Sequence, residues 1–258
     1  MYARLRSAVS KQLLNEKTFE PASVAVFTGE TPVAKTMTYA GTAARAFLLI
    51  VVTIGFAMLG WRSAADVLAT SGMWFFLGYL LLIGISIAAA TNPRLAPVAG
   101  LIYAVLMGLW MGAISRIYEA YYDGIVGQAL TASVATFIAC LLLYMFRAVR
   151  VTRRFVRIVI IATLGVAIMY FFGWIFAIFG IDLLFWTRPT TTGIVIGILI
   201  CVVAALNLIL DFAVIETGVN AGAPAAMMWF AAFGLLTTLV WLYIEILYLL
   251  VRIRAASQ

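Results

Sequence analysis

The run GIVIGILICVVAALNLILDFAVI, residues 193–215, decides the class of this protein. Its only charged residue is Asp211. About 20 consecutive apolar residues are enough to cross the hydrocarbon core of a bilayer as a helix. Backbone in lipid must satisfy its own hydrogen bonds, and the alternating pattern of a membrane barrel strand is absent. The run therefore predicts a transmembrane helix that carries one carboxylate.

The rest of the chain has the same character. Of its 258 residues, 66% are hydrophobic and 10% are charged, and the mean hydropathy is +1.12. A soluble domain is nearer half apolar and a quarter charged. Seven apolar segments are predicted to span the membrane: 44–61, 73–90, 95–115, 128–147, 156–180, 193–215 and 226–250. We therefore predict an all-α membrane protein, a seven-transmembrane-helix bundle in a lipid bilayer.

The predicted domain organisation follows from these segments. Residues 1–42 form a polar tail, residues 43–250 form the transmembrane domain, and residues 251–258 form a short C-terminal tail. No apolar stretch occurs before about residue 46, so a cleaved signal peptide is not expected. Leu5, Val9 and Leu13 recur at helical spacing, which predicts a short surface helix, and a loose tail is the alternative.

The residue types that are missing exclude several kinds of chemistry. The chain has no histidine, which excludes Ser-His and Cys-His catalytic sites and a histidine pH switch. Its three lysines, Lys11, Lys17 and Lys35, all precede the first apolar segment, so no membrane helix can carry a retinal Schiff base. Cys140 and Cys201 lie inside apolar segments and are interpreted as packing residues. We expect neither an enzyme nor a bound cofactor, and an intramembrane enzyme is the least favoured class.

The basic residues indicate the orientation in the membrane. The net charge is +7, and twelve of the seventeen lysines and arginines fall on the side of the N-terminal tail, five of them in the loop 147–157. Basic residues accumulate on the cytoplasmic side of membrane proteins and contact anionic lipids. The prediction is a multi-pass protein of the cytoplasmic membrane, with a cytoplasmic N-terminus, an outer C-terminus and no nucleic-acid partner.

Asp211 is the first candidate functional residue. A carboxylate at mid-membrane costs roughly 2.5–3.5 kcal/mol on insertion scales, so it needs a polar partner or water. Asp211 continues a helical stripe of mostly small or polar residues, made of Gly193, Gly197, Ile200, Ala204 and Asn207. It is interpreted as an ion- or proton-responsive group. The alternative is a structural carboxylate that pairs with a neighbouring helix or with an arginine.

The last segment carries a matching stripe. It consists of Ala231, Gly234, Thr238, Trp241, Glu245 and Arg252. Glu245 is predicted to lie roughly 20 Å from Asp211 along the bundle, at 1.5 Å per helical residue, and therefore to serve the outer mouth or to pair with an arginine there. An interfacial carboxylate is the alternative. The GxxxG pairs Gly108–Gly112 and Gly193–Gly197 predict close helix packing inside one bundle.

Four stretches resemble one membrane-protein family, the Bax inhibitor-type proteins, and within it the bacterial YccA-like branch. The resemblance covers nearly all of the chain after residue 36. The stretches are LNLILDFAVIETGVNAGAPAAMMWFAAFGLLTTLVWLYIEILYLL (206–250), APVAGLIYAVLMGLWMGAISRIYEAYYDGIVGQAL (96–130), MTYAGTAARAFLLIVVTIGFAMLGW (37–61) and LLLYMFRAVRVTRRF (141–155).

This resemblance implies a fold, an activity and a site. The implied fold has six helices around a central seventh, and the implied activity is a pH-sensitive Ca²⁺ leak controlled by two aspartates on the last two helices. Asp211 resembles the first aspartate. Thr238, or Thr237, stands where the second would be, and Glu245 follows two turns later on a similar face.

The implied pathway therefore consists of four residues with different roles. Asp211 is the sensor and a candidate Ca²⁺ contact, Asn207 and Thr238 are polar helpers, and Glu245 is an outer charge. Ca²⁺ is expected as the transported ion. The resemblance also allows another class, a membrane-embedded stress-response protein that modulates a membrane protease or another membrane protein. Its contact surfaces would be the N-terminal tail and the loop 147–157.

Overall fold

A computed structural model describes residues 36–64, 72–179 and 187–257. Within these ranges the chain forms seven α-helices, one short 3-10 turn and no β-strand. The predicted N-terminal surface helix lies outside the described residues. The helices are α1 (Tyr39–Arg62), α2 (Gly72–Thr91), α3 (Ala96–Tyr121), α4 (Ile125–Met145), α5 (Arg153–Ile178), α6 (Thr191–Asn220) and α7 (Met227–Ala256).

The helices correspond one to one with the seven predicted segments. Six of them, α1 and α3 to α7, are long and apolar enough to cross a membrane, and α2 contains a shorter apolar stretch, Leu80–Ala89. Their outer faces carry large apolar side chains: Phe47 is 69% exposed and Ile158 is 65% exposed. Such side chains are favourable only against lipid. The chain is therefore a multi-pass membrane protein.

Helix α6 ends later than the sequence predicts. The apolar segment stops at residue 215, but the helix continues through Glu216 and Thr217 to Asn220. Polar residues do not end a helix at the membrane surface, because the intrahelical hydrogen bonds continue into water. The helix stops where Gly222 adopts a φ of 61°, a left-handed conformation that suits glycine. Helix α7 likewise runs to Ala256, beyond the predicted boundary at residue 250.

Side chains cap several of the helix ends. The Thr38 hydroxyl accepts from the Gly41 amide at 3.1 Å at the start of α1, and Thr190 accepts from Gly193 at 3.2 Å at the start of α6. Glu119 accepts from the amides of Gly124 and Val126 at 2.8 and 2.9 Å. It therefore stabilises the turn between α3 and α4 and the positive end of the α4 dipole.

Helices α1 and α3 approach each other through glycines. A β-carbon added to Gly108 or Gly112 of α3 would overlap backbone carbonyl oxygens of α1, at Thr53 and Ala57 respectively. A β-carbon at Gly60 would likewise overlap the Leu109 carbonyl. The GxxxG pair of segment three is used inside the bundle, as the sequence analysis predicts.

Helix α7 is enclosed by other helices along most of its length. None of its described side chains between residues 227 and 252 is exposed. It packs against α1, α3, α4 and α6. Its core includes an edge-to-face pair between Phe233 and Tyr103 of α3, with ring centroids 5.2 Å apart.

The chain enters the bundle beside the α6–α7 turn. The Met37 amide donates to the Ala223 carbonyl at 2.7 Å, and Thr36 forms an isolated bridge with Pro224. The Met37 side chain is buried and packs near Gly218. Residues 36–38 therefore join the starts of α1 and α7 to the end of α6.

Candidate functional site

Asp211 lies inside the bundle, between α6 and α7. Its Oδ1 is close to Gly234, where an added β-carbon would come within 3.6 Å, and its carboxyl also lies beside Thr238. Its Oδ2 is buried and has no hydrogen-bond partner. A buried polar atom without a partner costs about 1–3 kcal/mol. The carboxyl group is thus enclosed among helices, and no arginine or lysine of the described residues forms an ion pair with it.

Two threonines of α7 bond to the same backbone carbonyl, which lies about one turn earlier in the helix. The Thr237 hydroxyl donates to the Gly234 carbonyl at 2.7 Å, and the Thr238 hydroxyl donates to the same oxygen at 3.2 Å. A hydroxyl has a single proton. Thr238 can therefore donate to the Asp211 carboxylate only by giving up its bond to its own helix, which makes it a polar neighbour with two alternative partners.

Asn207 does not join Asp211. Its side-chain amide donates to the Thr163 hydroxyl of α5 and to the Val203 carbonyl, both at 2.8 Å. The sequence placed Asn207 and Asp211 on one helical face, and the structure turns the Asn207 side chain toward α5. Thr163 was not identified from the sequence, because a threonine in an apolar segment commonly bonds only to its own backbone.

Glu245 forms a second polar site, toward the C-terminal end of α7. It is 3% exposed, and its carboxylate accepts from the Tyr170 hydroxyl at 2.8 and 3.0 Å and from the Trp241 indole at 3.0 Å. Trp241 precedes Glu245 by one helical turn, a spacing that places the two side chains on the same face of α7. Tyr170 of α5 was missed, because only the fold brings α5 against α7.

Arg252 occupies the space that a glycine pair leaves open. It is 4% exposed, and its Nη1 donates to the Gly193 carbonyl at 3.3 Å. A β-carbon at Gly197 would overlap the guanidinium group. The second GxxxG pair thus accommodates an arginine rather than another helix backbone. Arg252 is near enough to act electrostatically on Glu245, but the two form no salt bridge.

Asp211 and Glu245 are separate sites. Because α6 extends to Asn220, Asp211 lies nine residues from its end. This reduces the predicted offset between the two carboxylates from roughly 20 Å to roughly 14 Å at 1.5 Å per residue. Their neighbours nevertheless differ completely, since Thr238 and Gly234 surround one and Tyr170 and Trp241 surround the other.

A third carboxylate, Glu216, lies at the opposite end of the bundle from Glu245. It accepts a short hydrogen bond from the Tyr144 hydroxyl of α4. In the part of the chain that the structure describes, no three Asp, Glu, Cys or His side chains converge as a metal-binding group. Cys140 and Cys201 are free thiols.

Comparison with known proteins identifies the family of this chain. A model of the Bax inhibitor 1-like family matches residues 6–255. The chain belongs to this family. The match includes all seven helices and both carboxylate sites, and it confirms the family resemblance. The chain matches no curated protein and no solved structure. In this Bax inhibitor 1-like protein, Asp211 is the described carboxylate that holds a buried, unpartnered oxygen.

Proposed function

We propose that this Bax inhibitor 1-like protein is a slow, pH-modulated cation leak, with Asp211 as its sensor and Ca²⁺ as its cargo. The single observation that supports the proposal is the buried Asp211 Oδ2, which has no partner. No chemical transformation is involved, and no bound cofactor is required.

The mechanism follows from the two protonation states of this carboxyl group. A protonated carboxyl can donate to a backbone or hydroxyl oxygen and leaves the α6–α7 interface neutral. An ionised carboxylate can only accept, so it favours rotation of the Thr238 hydroxyl away from Gly234 and attracts a hard cation that prefers oxygen ligands. Loss of the proton thus changes both the packing between the two helices and the affinity for Ca²⁺.

The remaining pathway residues have supporting roles in this proposal. Glu245 is the charge near the outer mouth, and Asn207 ties α6 to α5 beside the sensor. We also propose that α7 is the central helix, because no described residue between 227 and 252 is exposed. The branch is YccA-like, the membrane is the cytoplasmic one, and the N-terminus is on the cytoplasmic side.

The test is Ca²⁺ flux against pH in proteoliposomes. Asp211→Asn keeps the shape of the side chain and removes its proton equilibrium. We expect it to abolish most of the pH dependence of flux, whereas Asp123→Asn, in the exposed α3–α4 turn, leaves the profile unchanged. An unchanged profile in Asp211→Asn would overturn the sensor role.

The same variant distinguishes a sensor role of Asp211 from a structural role. If Asp211 stabilised the fold through a partner, Asp211→Asn would lower the melting temperature in detergent. We expect its thermal stability to be unchanged or higher, because the wild-type oxygen is already unpartnered. A clear loss of stability would favour the structural interpretation.

A second candidate function rests on the loop between α4 and α5. Arg147, Arg150, Arg153, Arg154 and Arg157 are all exposed. Such a cluster is suited to an acidic partner protein as well as to anionic lipid, which is what a protease-modulating or stress-response protein requires. A stoichiometric partner that co-purifies from detergent and is lost when residues 1–36 are deleted or these arginines become glutamine would favour this function.

A further inference from the structure

The C-terminal end of α7 borders a cavity of about 270 Å³ that the proposed leak does not use. We call it the Arg252 cavity, and its lining consists of Tyr118, Thr187, Tyr248, Val251 and Arg252. It lies between the ends of α3 and α7 and the residues that precede α6. It is partly open, so a small solute or a lipid headgroup can reach it from that end of the bundle.

The cavity contains a buried cation with little compensation. The Arg252 guanidinium is almost completely enclosed, and its contact with the Gly193 carbonyl is long, at 3.3 Å. Among the described residues, no carboxylate forms a salt bridge with it. A guanidinium has five donors in a planar fork. A buried charge is normally paired, because the desolvation of an unpaired ion costs several kcal/mol.

Glu245 is a described carboxylate whose charge acts on Arg252, but the two side chains form no salt bridge. Glu245 is two helical turns away and accepts from Tyr170 and Trp241. Its charge reaches Arg252 only through space. Within the described residues, the Gly193 carbonyl is the one acceptor that hydrogen-bonds to the guanidinium, which has five donors in all.

Two tyrosines add donors to the same cavity. The rings of Tyr118 and Tyr248 pack edge to face, with centroids 5.7 Å apart and planes at 71°. Both lie within electrostatic range of Arg252. Neither hydroxyl forms a hydrogen bond with any part of the chain that the structure describes. The Arg252 guanidinium and the two phenol hydroxyls thus bring several hydrogen-bond donors to the lining of one cavity.

We propose that the Arg252 cavity binds an anionic phosphate group, with Arg252 as the charged fork and the Tyr118 and Tyr248 hydroxyls as neutral donors. Arginine is well suited to bind phosphate, because its planar guanidinium can donate two parallel hydrogen bonds in a bidentate contact. The phosphate belongs either to a free anion or to the headgroup of a phospholipid, since the cavity opens at the end of the membrane-spanning helices. The site is separate from Asp211, the sensor of the proposed cation leak.

The binding experiment uses full-length protein, delipidated in a neutral, phosphate-free detergent and titrated with inorganic phosphate. We expect Arg252→Gln to weaken phosphate binding by at least about tenfold, since it removes a charge-assisted contact. Arg254→Gln is the matched control: it removes the same charge two residues later, from an exposed position, and retains wild-type affinity. Equal affinities of the two variants for phosphate and for lipid would overturn the proposal.

The lipid arm uses phosphatidylglycerol. Native mass spectrometry counts the phosphatidylglycerol molecules retained by each variant, and added lipid is tested for displacement of phosphate. Lipid retention that depends on Arg252, with displacement of phosphate, assigns the site to a headgroup. Phosphate binding that depends on Arg252 and resists the lipid assigns it to a free anion.

A second variant covers the case in which Arg252→Gln does not fold. The double variant Tyr118→Phe and Tyr248→Phe keeps both rings and removes only the hydroxyls. We expect it to bind phosphate or phosphatidylglycerol several-fold more weakly than wild type. Wild-type affinity in this folded double variant would exclude the tyrosine donors and overturn the site as described.

Discussion

The two carboxylates inside the bundle differ in how well their oxygens are satisfied. Glu245 accepts hydrogen bonds from two donors, Tyr170 and Trp241, whereas Asp211 retains an oxygen without a partner. A satisfied buried carboxylate rigidifies its surroundings, and an unsatisfied one is sensitive to its protonation state. Glu245 should therefore contribute to the stability of the fold, and Asp211 should contribute to the response of the protein to pH.

Tyr170→Phe tests the stabilising role of the Glu245 site. The substitution keeps the ring but leaves the buried carboxylate without its strongest donor, so we expect a loss of about 1–3 kcal/mol in the free energy of unfolding. Unfolding in a denaturing detergent, followed by circular dichroism, measures this loss. Tyr121→Phe is the control, because Tyr121 is 75% exposed and should show no change. Equal stability of the two variants would contradict the assignment.

Asp211 and Glu245 could be selected from the sequence, but the polar residues that α5 contributes could not. A carboxylate within an apolar segment is conspicuous because its insertion into lipid is costly. Tyr170 and Thr163 are ordinary members of an apolar segment, and their importance depends on how α5 is rotated against α6 and α7. The local sequence encodes a helix, and the rotation is decided by contacts between helices.

At the scale of the element, the glycines of α3 determine how closely two helices pack. Gly108 and Gly112 face backbone carbonyls of α1, and Gly60 of α1 faces the backbone of α3. In a membrane, no hydrophobic force drives helices together, so association depends on close packing. Residues that allow contact between backbones therefore have a large influence on stability.

Gly112→Ala tests this contact. The added methyl group would overlap the Ala57 carbonyl, and because both atoms belong to rigid backbone the helices must separate. We expect a destabilisation of about 1–3 kcal/mol, the usual cost of overpacking. Gly165→Ala in α5 is the matched control, since its added methyl group meets nothing within 4 Å. A thermal melt in detergent compares the two, and an unaffected Gly112→Ala would show that α1 and α3 can separate without loss.

At the scale of the whole molecule, seven helices place the two ends of the chain on opposite sides of the membrane if every helix spans it. The exposed arginines between α4 and α5 lie on the side where α7 begins, and Arg254 lies on the side where it ends. The excess of basic residues on the first side predicts that it is cytoplasmic.

Cysteine labelling tests this orientation. In a variant whose Cys140 and Cys201 are replaced by alanine, we expect Arg254→Cys to react with a membrane-impermeant maleimide on intact cells. We expect Arg150→Cys to react only after permeabilisation, because the proposed orientation places its loop in the cytoplasm. Gly165→Cys, on the lipid-facing side of α5, should remain unlabelled in both cases. Labelling of both Arg254→Cys and Arg150→Cys on intact cells would contradict the orientation.

The sequence by itself determined that the chain is helical, that it has seven apolar segments, that it lies in a membrane and that Asp211 and Glu245 fall within apolar segments. Each of these follows from local hydropathy, because the solvent around a transmembrane segment is lipid and penalises every exposed polar group. The tertiary structure alone decided which side chains meet. Arg252 lies over Gly197, Glu245 bonds to Tyr170, and one oxygen of Asp211 remains without a partner, because these contacts depend on the rotation and depth of neighbouring helices. Hydropathy carries no information about either quantity.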